Sequence, residues 1–243
     1  MRIPVIAFLL CLALPAHASP VGSADPSLSD ADEVHIGGLL AVQFAQSEGM
    51  QPTPQTTKID AYLQKVGDRL SAHAQRKIPY HFHYDPDPGF KSAFALPGGE
   101  IFVGAGILAM MDTEDQLAIV LGHEMEHIDL NQCRDRLVEE MAKQHITMET
   151  ANQLKVDPFL PGYGHDREFA ADWSGVKLAA DAGYSPQAAV RLLNMFVLMG
   201  QLMTHTSSEA DANLKARIAQ IQRLMSEEKL ATPEEKALAL PGS

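Results

Sequence analysis

The chain has 243 residues, 46% of them hydrophobic and 21% charged, which is enough apolar material for one sizeable core. Its 31 Asp and Glu outnumber its 19 Lys and Arg and give a formal net charge of −12. Such a chain lacks the basic surface that neutralises a phosphate backbone, which argues against nucleic acid as a partner.

The first 18 residues have the pattern of a secretory signal peptide. Arg2 supplies the positive charge, residues 3–14 form an apolar run, and a small-x-small site ends at Ala18. A membrane anchor is the alternative, but the run is shorter than the ~20 residues of a spanning helix, and Pro15 interrupts it. We expect cleavage after Ala18, a periplasmic or secreted protein without a transmembrane segment, and a polar leader over residues 19–28.

The single domain is predicted to extend from residue 29 to 243 and to begin with two helices. The first begins at Ser29 and ends before the break at residues 51–57. The second presents an apolar face at helical spacing, formed by Ile59, Leu63, Val66 and Leu70.

Three short strands are predicted next. Alternation over residues 80–84 indicates a strand with His81 and His83 on one face. These two histidines could pair on a metal, but half-exposed histidines on strands are common and no acidic or cysteine ligand lies nearby in the sequence, so ordinary solvation is favoured. Residues 92–103 indicate a strand, a Pro-Gly-Gly turn and a second strand.

The central feature is a predicted helix that begins at Asp112 or Thr113 and carries the sequence HEMEH. His123 and His127 lie within ~40° of each other on a helix surface, so both imidazoles can reach one ion. Glu124 lies beside them without being a ligand. This is the geometry of a zinc site whose carboxylate takes a proton from water, and the alternative is a chance match on a surface helix.

A zinc site needs a third protein ligand. One family pattern places a glycine and then a histidine downstream, where this chain has Leu130 and Cys133. Without that glycine the helix is predicted to continue, and Cys133 would then point away from the ligand face. We therefore expect Cys133 to lie in the core and not to bind the metal. Cys133 is also the one cysteine outside the signal peptide, so no intramolecular disulfide is expected.

The better third ligand lies in the sequence EFAAD. Glu168 and Asp172 share one face of a second predicted helix, and the small Ala170 and Ala171 permit close packing against the first helix. Glu168 would complete a His, His, Glu site. Asp172 would accept a hydrogen bond from a ligand imidazole, and it is also a candidate proton donor.

The rest of the chain is mostly helical by its pattern. Residues 141–164 have weak periodicity and are predicted to be partly irregular, and whether residues 145–164 form a lid over the cleft stays open. One helix is predicted to close at Gly183 and another to begin after Ser185. The last helix is marked by Leu214, Ile218, Ile221 and Leu224.

Four blocks in chain order, AFALPGGEIFV, HEMEH, EFAAD and AGYSPQAAVRLL, resemble the zinc metallopeptidase family of the CAAX prenyl endopeptidase. The similarity is in particular to its soluble periplasmic branch, related to the beta-barrel assembly-enhancing protease, without the helical-repeat domain of some relatives. It implies a gluzincin domain that binds one Zn²⁺ through His123, His127 and Glu168, with Glu124 as base. The resemblance also implies an edge strand that pairs with extended substrate, formed by Glu100, Ile101, Phe102 and Val103.

Three positions depart from the family pattern. Glu126 places a charge where the motif usually has an uncharged residue, and Gly164-His165 replace a common Ser-Arg. Asp211-Ala212 replace a late His-Pro, so the residue that stabilises the oxyanion is not assigned. Its candidates, for each of which a packing or surface role is favoured, are Tyr163, His205 and Arg217.

We therefore expect a mainly helical α+β zinc endopeptidase with a small sheet beside the H-E-x-x-H helix. Its partners would be polypeptide substrates, and kinship suggests misfolded outer-membrane proteins and envelope quality control. The alternative is a catalytically silent peptidase fold that binds or escorts envelope proteins. An intact Glu124 argues against that alternative, because a pure binder has no need of a base beside the metal.

Overall fold

The two N-terminal helices begin at the residues that can cap them. The computed structural model describes residues 28–155, 163–204 and 209–242. Helix α1 (Asp30–Ser47) is capped by Ser29, and α2 (Pro54–Ser71) is capped by Thr53. In both caps a side-chain oxygen accepts a backbone N–H of the first turn, which satisfies a donor that has no partner within the helix. The predicted signal peptide and the leader up to residue 27 lie outside the described residues.

A three-stranded sheet follows, formed by β1 (His81–Asp85), β2 (Ala93–Leu96) and β3 (Glu100–Gly104). β2 and β3 are antiparallel and are joined by one short 3₁₀ turn at Pro97–Gly99, whereas β1 pairs with β3 in parallel. The strand order is therefore β1-β3-β2.

The expectation that β3 is an edge strand is wrong. Residues Glu100 to Val103 pair with β1 on one side and with β2 on the other, and all of them are buried. The physical reason is that β1, the strand that precedes the β2–β3 hairpin in the chain, adds to the free side of β3. Among the described strands, the outer positions belong to β1 and β2.

Six α-helices and a 3₁₀ helix at Met148–Gln153 complete the described fold, and they confirm the prediction of a mainly helical α+β protein. Helix α4 (Glu114–Asp129) carries HEMEH, is capped by Thr113, and packs against α2, β2, α6 and α7. The others are α3 (Ala105–Leu108), α5 (Gln132–Gln144), α6 (His165–Asp181), α7 (Gln187–Thr204) and α8 (Glu209–Glu227).

Helix α4 does not continue through Cys133 as predicted. It ends at Asp129, and Asn131 adopts a left-handed conformation with φ of 58° before α5 starts a new direction at Gln132. Asparagine tolerates this conformation better than most residues, which is why a chain without the glycine can still turn here. Cys133 is nevertheless buried in the core, as expected.

Two apolar clusters surround the strands and α4. The larger one joins α2, α4, α6, α7 and α8 to the sheet, and the smaller one lies between α1, α5 and the other side of the sheet. The segment predicted to be irregular is helical as far as Gln144, and Ala151 and Leu154 are buried in the smaller cluster. Residues 156–162, which include Phe159 and Leu160, lie outside the described residues. Within the described ranges, no helix combines the length and the apolar character needed to cross a membrane.

Candidate metal centre

Two buried helices supply the candidate ligands. His123 and His127 lie on α4, Glu168 and Asp172 lie on α6, and all four side chains are buried. Close approach of the two helices also depends on a pair of glycines, Gly122 on α4 and Gly175 on α6. A methyl group at Gly175 of α6 would lie 2.8 Å from the backbone nitrogen of His123, so only glycine fits without a backbone shift.

We predict that Gly175→Ala moves α6 away from α4 and so separates Glu168 from the histidines. Overpacking of this kind costs about 1–3 kcal/mol, and the melting temperature should fall together with metal retention under chelator competition. Gly38→Ala is the control, because a methyl at that helical glycine of α1 meets no atom within 4 Å. Equal metal retention in both variants would contradict the role of the Gly175 contact.

Donor atoms of three side chains converge at the centre of the site. His123 Nε2 lies 3.1 Å from His127 Nε2 and 3.4 Å from one oxygen of Glu168, whose other oxygen lies 3.8 Å from His127 Nε2. A tetrahedral zinc ion with bonds of ~2.1 Å holds its donor atoms roughly 3.4 Å apart, and these separations are close to that value. Among the described residues, these three form the one group of His, Cys, Asp and Glu close enough to share a metal.

The other ring nitrogen of each histidine has its own partner. His123 Nδ1 lies 2.9 Å from Asp172, close enough for an ionic contact but without the alignment of a well-formed hydrogen bond. His127 Nδ1 hydrogen-bonds the side-chain oxygen of Gln132 at 2.7 Å. Both Nε2 atoms are thereby directed to the centre, which is how outer partners orient metal-ligating imidazoles.

Arg217 has a role that the sequence did not reveal. Its guanidinium contacts both oxygens of Asp172, at 2.5 and 2.7 Å, and the pair is buried. Although burial raises the pKa of Asp172, the contacts with Arg217 and His123 outweigh burial and hold that pKa below its usual value. Asp172 is therefore ionised, and the geometry favours the positioning role predicted for it over that of a proton donor.

The electrostatics of the centre favour positive charge. Burial lowers the pKa of His127 to about 4, which leaves its imidazole neutral, as a metal ligand must be. For His123, burial is outweighed by Asp172 and Glu168, which raise its pKa to about 10. The carboxylates of Asp172 and Glu168 thus stabilise a positive charge at this point, and they would stabilise a bound divalent metal ion in the same way.

Glu124 lies beside the three candidate ligands and is not one of them. Burial raises the pKa of Glu124 to about 7, even though His123 and the backbone of Ala95 in β2 act to lower it. A carboxylate with a pKa near neutrality can both take and return a proton at physiological pH, which suits general acid–base work.

The remaining predicted residues have varied positions. The ring of Tyr163 stacks on His127 with centroids 4.4 Å apart, and its hydroxyl lies 3.2 Å from Cys133 Sγ. His205 lies outside the described residues. His81 is exposed, and His83 contacts Glu100 at 2.6 Å, so neither belongs to the convergent group.

Gln132 is the functional candidate that sequence reasoning missed. Besides holding His127, its side-chain nitrogen donates to the backbone oxygen of Arg167 at 3.3 Å, next to Glu168. It therefore links the ligand on α4 to the start of α6. The sequence indicates Gln132 only indirectly. Asn131 ends α4 in a left-handed turn, and this turn brings Gln132 back against His127.

The sequence of the chain is similar to those of known peptidases. The model of Peptidase family M48 matches residues 57–225. The chain is similar to the mitochondrial metalloendopeptidase OMA1 of Schizosaccharomyces pombe, at 29% identity over 72% of this chain and 54% of that protein. It is also similar to the beta-barrel assembly-enhancing protease of Escherichia coli, at 32% identity over 44% of this chain and 21% of that protein.

A third similarity covers more of the chain. A putative beta-barrel assembly-enhancing protease of Vibrio cholerae is 24% identical over 86% of this chain and 52% of that protein. The chain thus spans about half of the length of two of these relatives and a fifth of the third.

Proposed function

Because the chain belongs to peptidase family M48, we propose that it is a zinc-dependent endopeptidase that hydrolyses peptide bonds with water. The observation that carries this proposal is the position of Glu124, a buried carboxylate beside the convergent group and outside it. A purely structural metal site needs no such group. The convergent group itself would hold one zinc ion through His123, His127 and Glu168.

Zinc, when bound, polarises the scissile carbonyl and makes the attacking water more acidic. Glu124 accepts the proton of that water and returns it to the leaving amine, a task that its pKa of about 7 permits. Asp172 and Gln132 hold the two imidazoles so that each Nε2 stays directed at the metal. The residue that stabilises the oxyanion stays unassigned.

An extended substrate would pair with β2 instead of β3. Gly104 N–H donates to Ser92 O at 3.0 Å, so alternation in the antiparallel ladder turns the backbone groups of Ala93 and Ala95 away from β3. β2 packs against α4, the helix that carries Glu124, so this strand runs alongside the reacting centre. Backbone pairing there would hold the scissile bond with little regard for sequence.

The names of the relatives also suggest a substrate class and a cellular role for this chain. The names of two relatives refer to beta-barrel assembly, and the signal peptide predicted from the sequence is consistent with a place in the envelope. We propose misfolded outer-membrane polypeptides as substrates, in a periplasmic or secreted setting. The second candidate function, a silent binder of envelope proteins, has no observation in its favour beyond the similarity itself.

The direct test of the proposed function is metal analysis combined with digestion of an unfolded polypeptide such as casein. We predict about one zinc per mature chain, loss of digestion after chelation, and recovery when zinc is added back. Because the ligands are buried between two helices, chelation should also lower the melting temperature. A chain that carries zinc and digests no unfolded substrate would favour the silent binder.

A further inference from the structure

Helix α1 lies outside the residues that match the family model, yet it contacts the turn on which the substrate-pairing strand depends. We propose that α1 positions β2, through Gly37 and Glu33, for alignment of extended substrates. This inference rests on the proposed function and adds to it a determinant outside the family region.

The first observation is an unusually close approach between backbones. A methyl at Gly37 of α1 would lie 1.9 Å from the backbone oxygen of Pro97, in the turn between β2 and β3. On the other side of the contact, Gly98 has a φ of 76°, and a methyl there would lie 2.5 Å from the backbone oxygen of Glu33. Glycine is therefore needed on both surfaces for the helix and the turn to approach this closely.

The second observation is the carboxylate of Glu33, which is fully buried. One of its oxygens accepts the backbone N–H of Gly98 at 3.1 Å, and its charge is balanced by Arg76 at 2.7 Å and Arg134 at 2.6 Å. Removing one partner of such a buried set is costly, because the charges that are left lose their compensation. The contact between α1 and the turn is therefore specific as well as close.

The third observation extends this contact to the metal helix. Arg76 also donates to the backbone oxygen of Ile128, one residue after His127, at 3.2 Å. Arg134 lies in α5, two residues after Gln132, which holds His127. Glu33 consequently joins the β2–β3 turn to the end of α4.

The expected consequence concerns extended substrates. If α1 shifts the turn, the outer backbone groups of β2 move relative to Glu124, while His123, His127 and Glu168 keep their places on α4 and α6. Long chains that pair with β2 should then bind in a worse register, whereas zinc binding should be unchanged. The predicted signature is a rise in KM with zinc content preserved.

The test compares Gly37→Ala with Gly38→Ala, two neighbouring changes on one helix with the same gain in helix propensity. Gly38→Ala is the matched control, since its methyl meets nothing within 4 Å. For an unfolded casein substrate we expect Gly37→Ala to lower kcat/KM by roughly tenfold or more, mainly through KM, because small misplacements of substrate have effects of this size. Zinc content should match wild type in both variants.

A second measurement is independent of turnover. Labelled, unfolded casein should bind Glu124→Gln more tightly than it binds the double variant Glu124→Gln/Gly37→Ala. Equal binding, or equal KM for Gly37→Ala and Gly38→Ala, would overturn the inference while leaving the endopeptidase proposal intact. Failure of the wild type to digest casein would instead count against the proposed function.

If Gly37→Ala does not fold, Glu33→Gln and Asp30→Asn replace it. Both carboxylates contact Arg76 and Arg134, but only Glu33 also binds the turn. A rise in KM confined to Glu33→Gln supports the positioning role. A similar KM in the two variants contradicts it.

Discussion

Replacing Glu124 with Gln is expected to make digestion of unfolded polypeptides undetectable while the chain keeps about one zinc ion. The amide preserves the size and shape of the side chain but cannot accept a proton from water. Loss of a general base typically lowers a rate by ~10² to 10⁴, and by more when the same group also protonates the leaving amine. Zinc content, melting temperature and casein digestion of both proteins should be measured side by side.

Glu126→Gln is the matched control for this experiment. It changes a second buried carboxyl group of the same helix, two residues away, and Glu126 is not among the convergent ligands. Burial and Asp129 raise the pKa of Glu126 to about 8, so it is mostly uncharged at neutral pH and the amide changes the charge near His123 little. We expect Glu126→Gln to digest at close to the wild-type rate. Equal digestion by wild type and Glu124→Gln would exclude the mechanism assigned to Glu124.

The part of the site that sequence could predict is the part set by local geometry. His123 and His127 converge because four residues make about one helical turn, and the same rule puts Glu168 and Asp172 on one face of α6. The helix starts at Ser29 and Thr113 were predictable too, since their hydroxyls accept backbone N–H groups. Each of these features depends on neighbours within four residues.

Features that depend on distant partners were missed. The central position of β3 follows from pairing with β1, which lies about twenty residues earlier in the chain and is held by α2 through its other contacts. The pairing of Arg217 with Asp172 joins α8 to α6 across 45 positions. No local pattern distinguishes such an arginine from one that is solvated, and neither its burial nor its bidentate contact is visible in the sequence.

Substitutions in the ion pair of Asp172 and Arg217 are expected to have large effects. We predict that both residues contribute to the free energy of unfolding but that Asp172 contributes more to zinc affinity. Asp172→Asn leaves a buried guanidinium without its counter-charge and should lower the free energy of unfolding by about 3–5 kcal/mol. It also removes the carboxylate beside His123 Nδ1, which should weaken zinc affinity ~10 to 100-fold.

Arg217→Met leaves the carboxylate in place, so we expect a comparable loss of stability with a smaller loss of zinc affinity. The double variant Asp172→Asn/Arg217→Met has no buried charge at this pair. Its free energy of unfolding should therefore return most of the way to the wild-type value, since replacing both partners of a buried ion pair with uncharged residues often costs little stability. Zinc affinity should stay as low as in Asp172→Asn, because His123 still lacks its anionic partner.

Urea unfolding of the metal-free proteins and chelator competition measure the two effects separately. Additive stability losses in the double variant would show that Asp172 and Arg217 are not energetically coupled, and unchanged zinc affinity in Asp172→Asn would remove Asp172 from the metal centre.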